Sequence, residues 1–228
     1  MTQNSSGCFL LGFLFFWVLG GACVPVPSPV IHTSFYRRIP RTILVLPPVN
    51  ETAELEASDL YLSTITAVLA EHGYYVPPVA LVKEMLLSNG LPLPPQMHRA
   101  PLDRLASVFG ADAVLYVTIP HRGATVGGMR VTLGYRLVDV RDGAELWSRQ
   151  VSEFRSYSNN KSESLGEFVI SLLISTIVAE LTSVPLDLVR QANYRAVGTS
   201  EERLLLGPYH PRYGDQQTRL GGAPASEP

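Results

Sequence analysis

No cysteine follows residue 23 in this chain of 228 residues, and only Cys8 and Cys23 occur up to that point. The body of the protein therefore has no disulfide framework, no thiolate metal site and no cysteine nucleophile. Charge is scarce as well. Charged residues make up 17% against 46% hydrophobic ones, a balance that excludes a disordered chain and supplies enough apolar material for a buried core. With a formal charge of −2 and scattered basic residues, there is no electrostatic footprint for nucleic acid, and none for holding anionic lipid by charge. The five histidines, His32, His72, His98, His121 and His210, form no His-x-His or His-x-x-x-His pair, so no metal ligand set is legible. A Gly-x-Ser-x-Gly elbow, a phosphate loop and a dinucleotide fingerprint are all missing. Asp139, Asp142 and Glu145 lie close together in sequence, but the chemistry of a tight hairpin turn accounts for them. These absences lead us to expect neither a cofactor nor enzyme activity. The alternative is an envelope hydrolase whose polar residues converge only in the fold.

What is present begins at the N-terminus. Phe9 to Leu19 is an uncharged apolar run of 11 residues, the length of a signal-peptide core and short of the roughly 20 that a spanning helix needs. Gly20-Gly21-Ala22-Cys23 follows, small residues ending on a thiol, the pattern of a lipobox. It departs from that pattern in two ways: Met1 to Gly7 has no Lys or Arg, and a leucine sits four residues before Cys23 rather than three. The reading is a signal peptide over residues 1–22 with lipid, including palmitate, on Cys23; at roughly 0.8 kcal/mol per buried CH₂, two or three acyl chains make a stable anchor. Val24 in place of aspartate after the cysteine favours the outer membrane. Val24-Pro25-Val26-Pro27-Ser28-Pro29-Val30 alternates proline with other residues and reads as an extended spacer. Residues 23–40 form the expected tether, reaching roughly 55 Å from Cys23 to Arg41 if fully extended.

Residues 41–214 read as a single α/β domain and 215–228 as a disordered tail. The apolar run Thr42 to Leu46, stopped by Pro47-Pro48, predicts a central strand buried on both faces. Helices are predicted over Glu54 to His72, with Gly73 as cap, over Val79 to Ser88, closed by Asn89-Gly90, and over Pro101 to Phe109. Tyr74 to Val76, Ala113 to Ile119, Met129 to Val140 and Glu145 to Phe154 read as strands, the last two joined by a turn at Asp142-Gly143. The order β-α-β-α-α-β-β-β implies a mixed sheet with flanking helices, in two or three layers. Leu165 to Leu181, uncharged from Phe168 to Ala179, reads as the main core helix, and Pro185 opens a last one to about Ala196. Gly207 to Gly214 gathers Tyr209, His210, Arg212 and Tyr213 with two prolines outside any regular element. That composition is typical interface material, or else the segment packs back on its own domain.

Five segments carry a resemblance: Arg41 to Asn50, Gly73 to Val82, Phe109 to Tyr116, Leu137 to Gly143 with Leu146-Trp147, and Leu206 to Gly214. In order, they resemble a family of bacterial lipoproteins of unknown function typified by a meningococcal genome-derived antigen. The resemblance implies a fold like the amino-terminal domain of TolB, lipid on Cys23, and work beside an outer-membrane secretion lipoprotein of the curli-export type. It brings no catalytic residues. The expected function is a lipid-anchored binding or scaffold component of an envelope transport or secretion assembly.

Overall fold

The computed structural model of the chain describes residues 30–31, 33–52, 57–156, 169–170, 173–174, 177, 185–198 and 204–220. Strand β1 (Val30–Ile31) and helix α1 (Thr33–Arg37) come first, then β2 (Ile43–Val45) and β3 (Val49–Asn50). Helices α2 (Ala57–Glu71), α3 (Val79–Ser88), α4 (Pro94–Met97) and α5 (Leu102–Phe109) follow. Three long strands come next, β4 (Ala113–Thr125), β5 (Gly128–Asp139) and β6 (Glu145–Ser156), and the described chain ends with α6 (Leu186–Gly198) and α7 (Tyr213–Arg219).

The strands form one mixed sheet in the order β1-β6-β5-β4-β2, with β3 also on β4. β2 and β3 run parallel to β4, with Ile43 opposite Ala113 and Val49 opposite Thr118, whereas β4, β5 and β6 make an antiparallel meander. The connections explain the mixture: helices return the chain from β3 to β4, and short turns join β4 to β5 and β5 to β6. The β4–β5 register shifts between Thr118 and His121, the stretch that holds Pro120, which has no N–H to give a ladder.

Each face of β2 and β4 has its own core. Tyr61, Ile65 and Leu69 from α2 and Leu188, Ala192 and Ala196 from α6 pack on Ile43, Val45, Leu115, Leu133 and Trp147. On the other face, Val82 and Leu86 of α3, Met97 of α4 and Leu105 of α5 cover Leu44, Leu46 and Val114. The molecule has three layers there. Farther along, the second face of β5 and β6 carries exposed Arg130, Arg136 and Phe154, so the sheet is covered on one side only. The expected α/β mixed sheet with flanking helices is present, in both of the layerings considered.

Several expectations need correction. β2 ends the strand order rather than occupying its centre; burial on both faces, with Ile43, Leu44 and Leu46 at 0% exposure, comes from the two helix layers, and the centre belongs to β4 and β5. Tyr74 to Val76 is not a strand but a single bridge, Tyr75 to Thr42. The domain starts before residue 41: β1 pairs with β6, Val30 opposite Ser148, and Phe35 is fully buried in the core. It also runs past 214, because α7 is helical to Arg219 and Gln216 holds both the N–H and C=O of Leu206 at 2.8 and 3.3 Å. Of the helix expected over Leu165 to Leu181, the described positions Val169, Ile170, Leu173, Ile174 and Ile177 are helical and 53–61% exposed. That face does not enter the core. A segment apolar on more than one side gives no period from which its buried face can be read.

Candidate functional site

Parallel strands end where the chain must turn away from the sheet, and a crevice commonly opens there. Pro47-Pro48 ends β2, the chain steps to β3, and α4 rises opposite on Pro94-Pro95. Between them lies a groove of about 420 Å³ lined chiefly by Val49, Leu87, Leu93, Pro94 and Met97, with Lys83 at its edge. Leu93 is 56% exposed. The polar groups of the rim are held in local turns. Asn50 Oδ1 accepts from the N–H and the hydroxyl of Thr52 at 3.0 and 2.7 Å, and the Ser58 hydroxyl donates to the Pro48 carbonyl at 3.3 Å. The lining is mainly apolar, with Asn50, Thr52, Ser58 and Lys83 among it.

His98 braces the groove from behind. Its Nε2 lies 2.9 Å from the Pro47 carbonyl, which makes it the protonated nitrogen, and its ring meets Tyr116 edge-on at 5.2 Å. The Arg136 guanidinium lies 4.6 Å from the centre of the same tyrosine ring. Burial pushes the imidazole below its ordinary pKa, the bond to Pro47 opposes that shift, and the charge of Arg136 adds to it. His98 is thus a neutral structural donor.

The residues singled out in Gly207 to Gly214 do come together, by packing back on their own domain. Gly207 N–H donates to His72 C=O at 2.8 Å and Tyr209 N–H to Gly73 C=O at 3.1 Å, while the Tyr74 hydroxyl donates to Leu205 C=O. His210 Nδ1 accepts from Arg212 N–H at 3.0 Å. The Tyr209 ring, 65% exposed, and Arg212 face solvent, whereas His210 and Tyr213 are half-buried. A smaller hollow of about 220 Å³ lies beside Tyr36, Leu206, Arg212 and Arg219. Cys23 lies outside the described residues.

The carboxylates near the β5–β6 turn behave as hairpin chemistry predicts. Asp139 Oδ1 accepts from Arg141 N–H and Nε at 2.9 and 3.1 Å, and Asp142 Oδ1 accepts from Ala144 N–H at 3.0 Å. Arg38 reaches both acids from the end of α1, at 3.3 and 2.7 Å. The Ala144 N–H and then the Arg38 guanidinium hold the Asp142 carboxyl below the usual range. Among the described residues no group of three or more His, Cys, Asp or Glu is placed to hold a metal ion.

Reading the sequence missed two features. One is the solvent-facing aliphatic helix positions from Val169 to Ile177. The other is a buried chain of hydrogen bonds: Tyr135 hydroxyl to Asn193 Oδ1, Asn193 Nδ2 to the Thr64 hydroxyl, and that hydroxyl to Tyr61 C=O, at 2.7, 2.7 and 2.8 Å. It links β5, α6 and α2. Asn193 stands four residues before Val197 and four after Val189, on the apolar face of its helix, and that spacing was the available signal.

Residues 31–209 match a family model described as "Putative lipoprotein GNA1162-like". The chain is 34% identical over 193 residues to "Putative lipoprotein NMB1124/NMB1162" of Neisseria meningitidis serogroup B, covering 82% of this chain and 88% of that protein. A crystal structure of lipoprotein GNA1162 from Neisseria meningitidis is 35% identical, with a TM-score of 0.49, covering 62% of this chain and 98% of that one.

Proposed function

The chain belongs to the GNA1162-like lipoprotein family, a membership that places it in the cell envelope, and from that premise we propose that it is a binding component of an envelope assembly, anchored by lipid on Cys23. The observation that carries the proposal is the pairing of β1 with β6. Because Val30 is already part of the sheet, only Val24 to Pro29 separate the folded domain from the lipidated residue, a reach of roughly 20 Å at about 3.1 Å per residue. The anchor therefore presents the domain directly above one leaflet, the outer membrane by the reading of Val24, rather than letting it range. The groove beside Pro47 and the exposed Tyr209 and Arg212 offer contact surfaces. The family resemblance suggests a curli-export-type secretion lipoprotein as the partner.

The test is metabolic labelling with palmitate followed by density separation of membranes. Wild type should be labelled and travel with the outer membrane. Cys23→Ser should lose the label and leave the membrane, or accumulate as precursor, with its domain still folded. A labelled, membrane-bound Cys23→Ser protein would sink the proposal.

A further inference from the structure

β6 has 12 residues, but β1 covers only Trp147 and Ser148 of its outer edge, and no other strand among the described residues meets that edge. Which backbone groups point there follows from the ladder. The Asp139 N–H donates to Ala144 C=O, and the Val140 N–H donates to Asp112 C=O on the opposite side. Odd-numbered residues of β5 therefore turn N–H and C=O toward β6. Their partners from Trp147 onward are the odd residues of β6, Leu137 with Trp147 and Leu133 with Val151. Ser148, Gln150, Ser152 and Phe154 consequently present N–H and C=O to the outer edge, where Val30 answers Ser148. An open strand edge is a template for one more strand. We propose that Val24 to Pro29 continue β1 along this edge, with Ser28 opposite Gln150, Val26 opposite Ser152 and Val24 opposite Phe154.

Connectivity, register and proline spacing select this occupant. The segment is joined to Val30, which is already seated on β6, so no further loop has to close. Counting back from Val30 sets Pro29, Pro27 and Pro25 opposite Arg149, Val151 and Glu153. Those are the positions at which the added strand turns its N–H to solvent. Proline has no N–H and is tolerated in a sheet at an edge with that side outward. A register one residue different would set all three prolines against the edge. The residues that must donate, Val24, Val26 and Ser28, all have an N–H. Val24 also falls beside Phe154, a ring 45% exposed, as a β-branched and aromatic cross-strand pair. The pairing does not depend on lipid. Where Cys23 is anchored as proposed above, it lies opposite Arg155, so that end of β6 and the adjoining β4–β5 turn at Val126-Gly127 face the bilayer; this consequence alone rests on the anchoring reading.

The test uses the full chain carrying Cys8→Ser and Cys23→Ser, so that introduced thiols are its only ones. Directly opposed residues of an antiparallel ladder have Cα atoms about 5.5 Å apart, within reach of a disulfide. Val26→Cys with Ser152→Cys should oxidise at least tenfold faster than Val26→Cys with Ser148→Cys. A segment hanging loose from Val30 would reverse that order, because Ser148 lies beside its fixed end and Ser152 roughly 13 Å farther along the strand. Equal or reversed rates overturn the proposal. Ser28→Pro, which removes an N–H aimed at Gln150, should slow the favoured cross-link at least tenfold, while Pro27→Ala should leave it within about twofold; equal effects reject the register. In a second arm without added thiols, hydrogen exchange at the Ser152 and Phe154 amides should be at least tenfold slower than in a chain lacking residues 24–29. Equal exchange in the two chains, whether the edge is bare or held by a second copy, sinks the proposal.

Discussion

Asn193 is fully buried, yet both polar ends of its side chain are engaged, one by the Tyr135 hydroxyl and the other by Thr64. Removing one partner strands the other in the core, which costs about 1–3 kcal/mol. Tyr135→Phe should therefore destabilise the domain by that amount in chemical denaturation. Tyr194→Phe, whose hydroxyl bonds the exposed Glu71 carboxylate at 2.8 Å, should stay within about 0.5 kcal/mol. His98 gives a second prediction at this scale, with a definite sign. Its folded pKa lies below the ordinary value, so the unfolded chain takes up a proton first as pH falls. Stability should then drop as pH falls through about 6.5 and level off below the lowered folded value. His98→Gln keeps a side-chain donor for the Pro47 carbonyl and has nothing to titrate. Thermal midpoints at pH 7.5 and 5.0 should differ less for this variant than for wild type; an equal loss in both would reject the assignment.

Among the elements, glycines separate two causes of the same backbone conformation. Gly73 and Gly90 both end helices with positive φ, +81° and +79°. A side chain at Gly90 would meet open space, while one at Gly73 would come within 2.3 Å of the His210 backbone nitrogen. Gly90→Ala should cost about 1–2 kcal/mol for the left-handed conformation alone, and Gly73→Ala clearly more, because it also forces the Leu206 to Gly214 segment away; paired melting curves decide it. Elements with strong local signals were legible in the sequence: α3, with its Asn89-Gly90 ending, and the β5–β6 hairpin with its Asp142-Gly143 turn fall within two residues of expectation. Less legible were features that depend on distant partners. Val30 and Ile31 form a strand only because β6 offers an edge, and Pro94 to Met97 turn helical in a stretch crowded with prolines at 92, 94 and 95. The site was legible only as composition. Tyr209 to Tyr213 stood out by residue type, but His72 and Gly73, which hold that segment down, lie far away in sequence. The groove beside Pro47 carried no motif at all.

At the scale of the whole molecule, lipid on Cys23 as proposed would leave the six residues Val24 to Pro29 to set what the domain can reach. Under the proposed function, replacing Val24 to Pro29 with an unrelated proline-rich hexapeptide should preserve partner cross-linking in membranes, because reach and stiffness are retained. Deleting the six residues should reduce it sharply while leaving the thermal midpoint unchanged. Undiminished cross-linking in the deletion would show that height above the bilayer is irrelevant. Phe35→Ala acts on the other side of that boundary. It empties a fully buried core position and should cost about 3–5 kcal/mol; denaturant titration measures it.

The bond between β1 and β6 also governs when the fold can close. Val30 is among the first residues made, and Ser148, its partner in the sheet, follows roughly 120 residues later, so closing that loop is a late and slow event. A chain passed across a membrane N-terminus first cannot complete its sheet while β6 is still on the original side. Under the proposed anchoring, β1 can join the sheet only after β6 has followed it across, beside the stretch of bilayer that would hold Cys23.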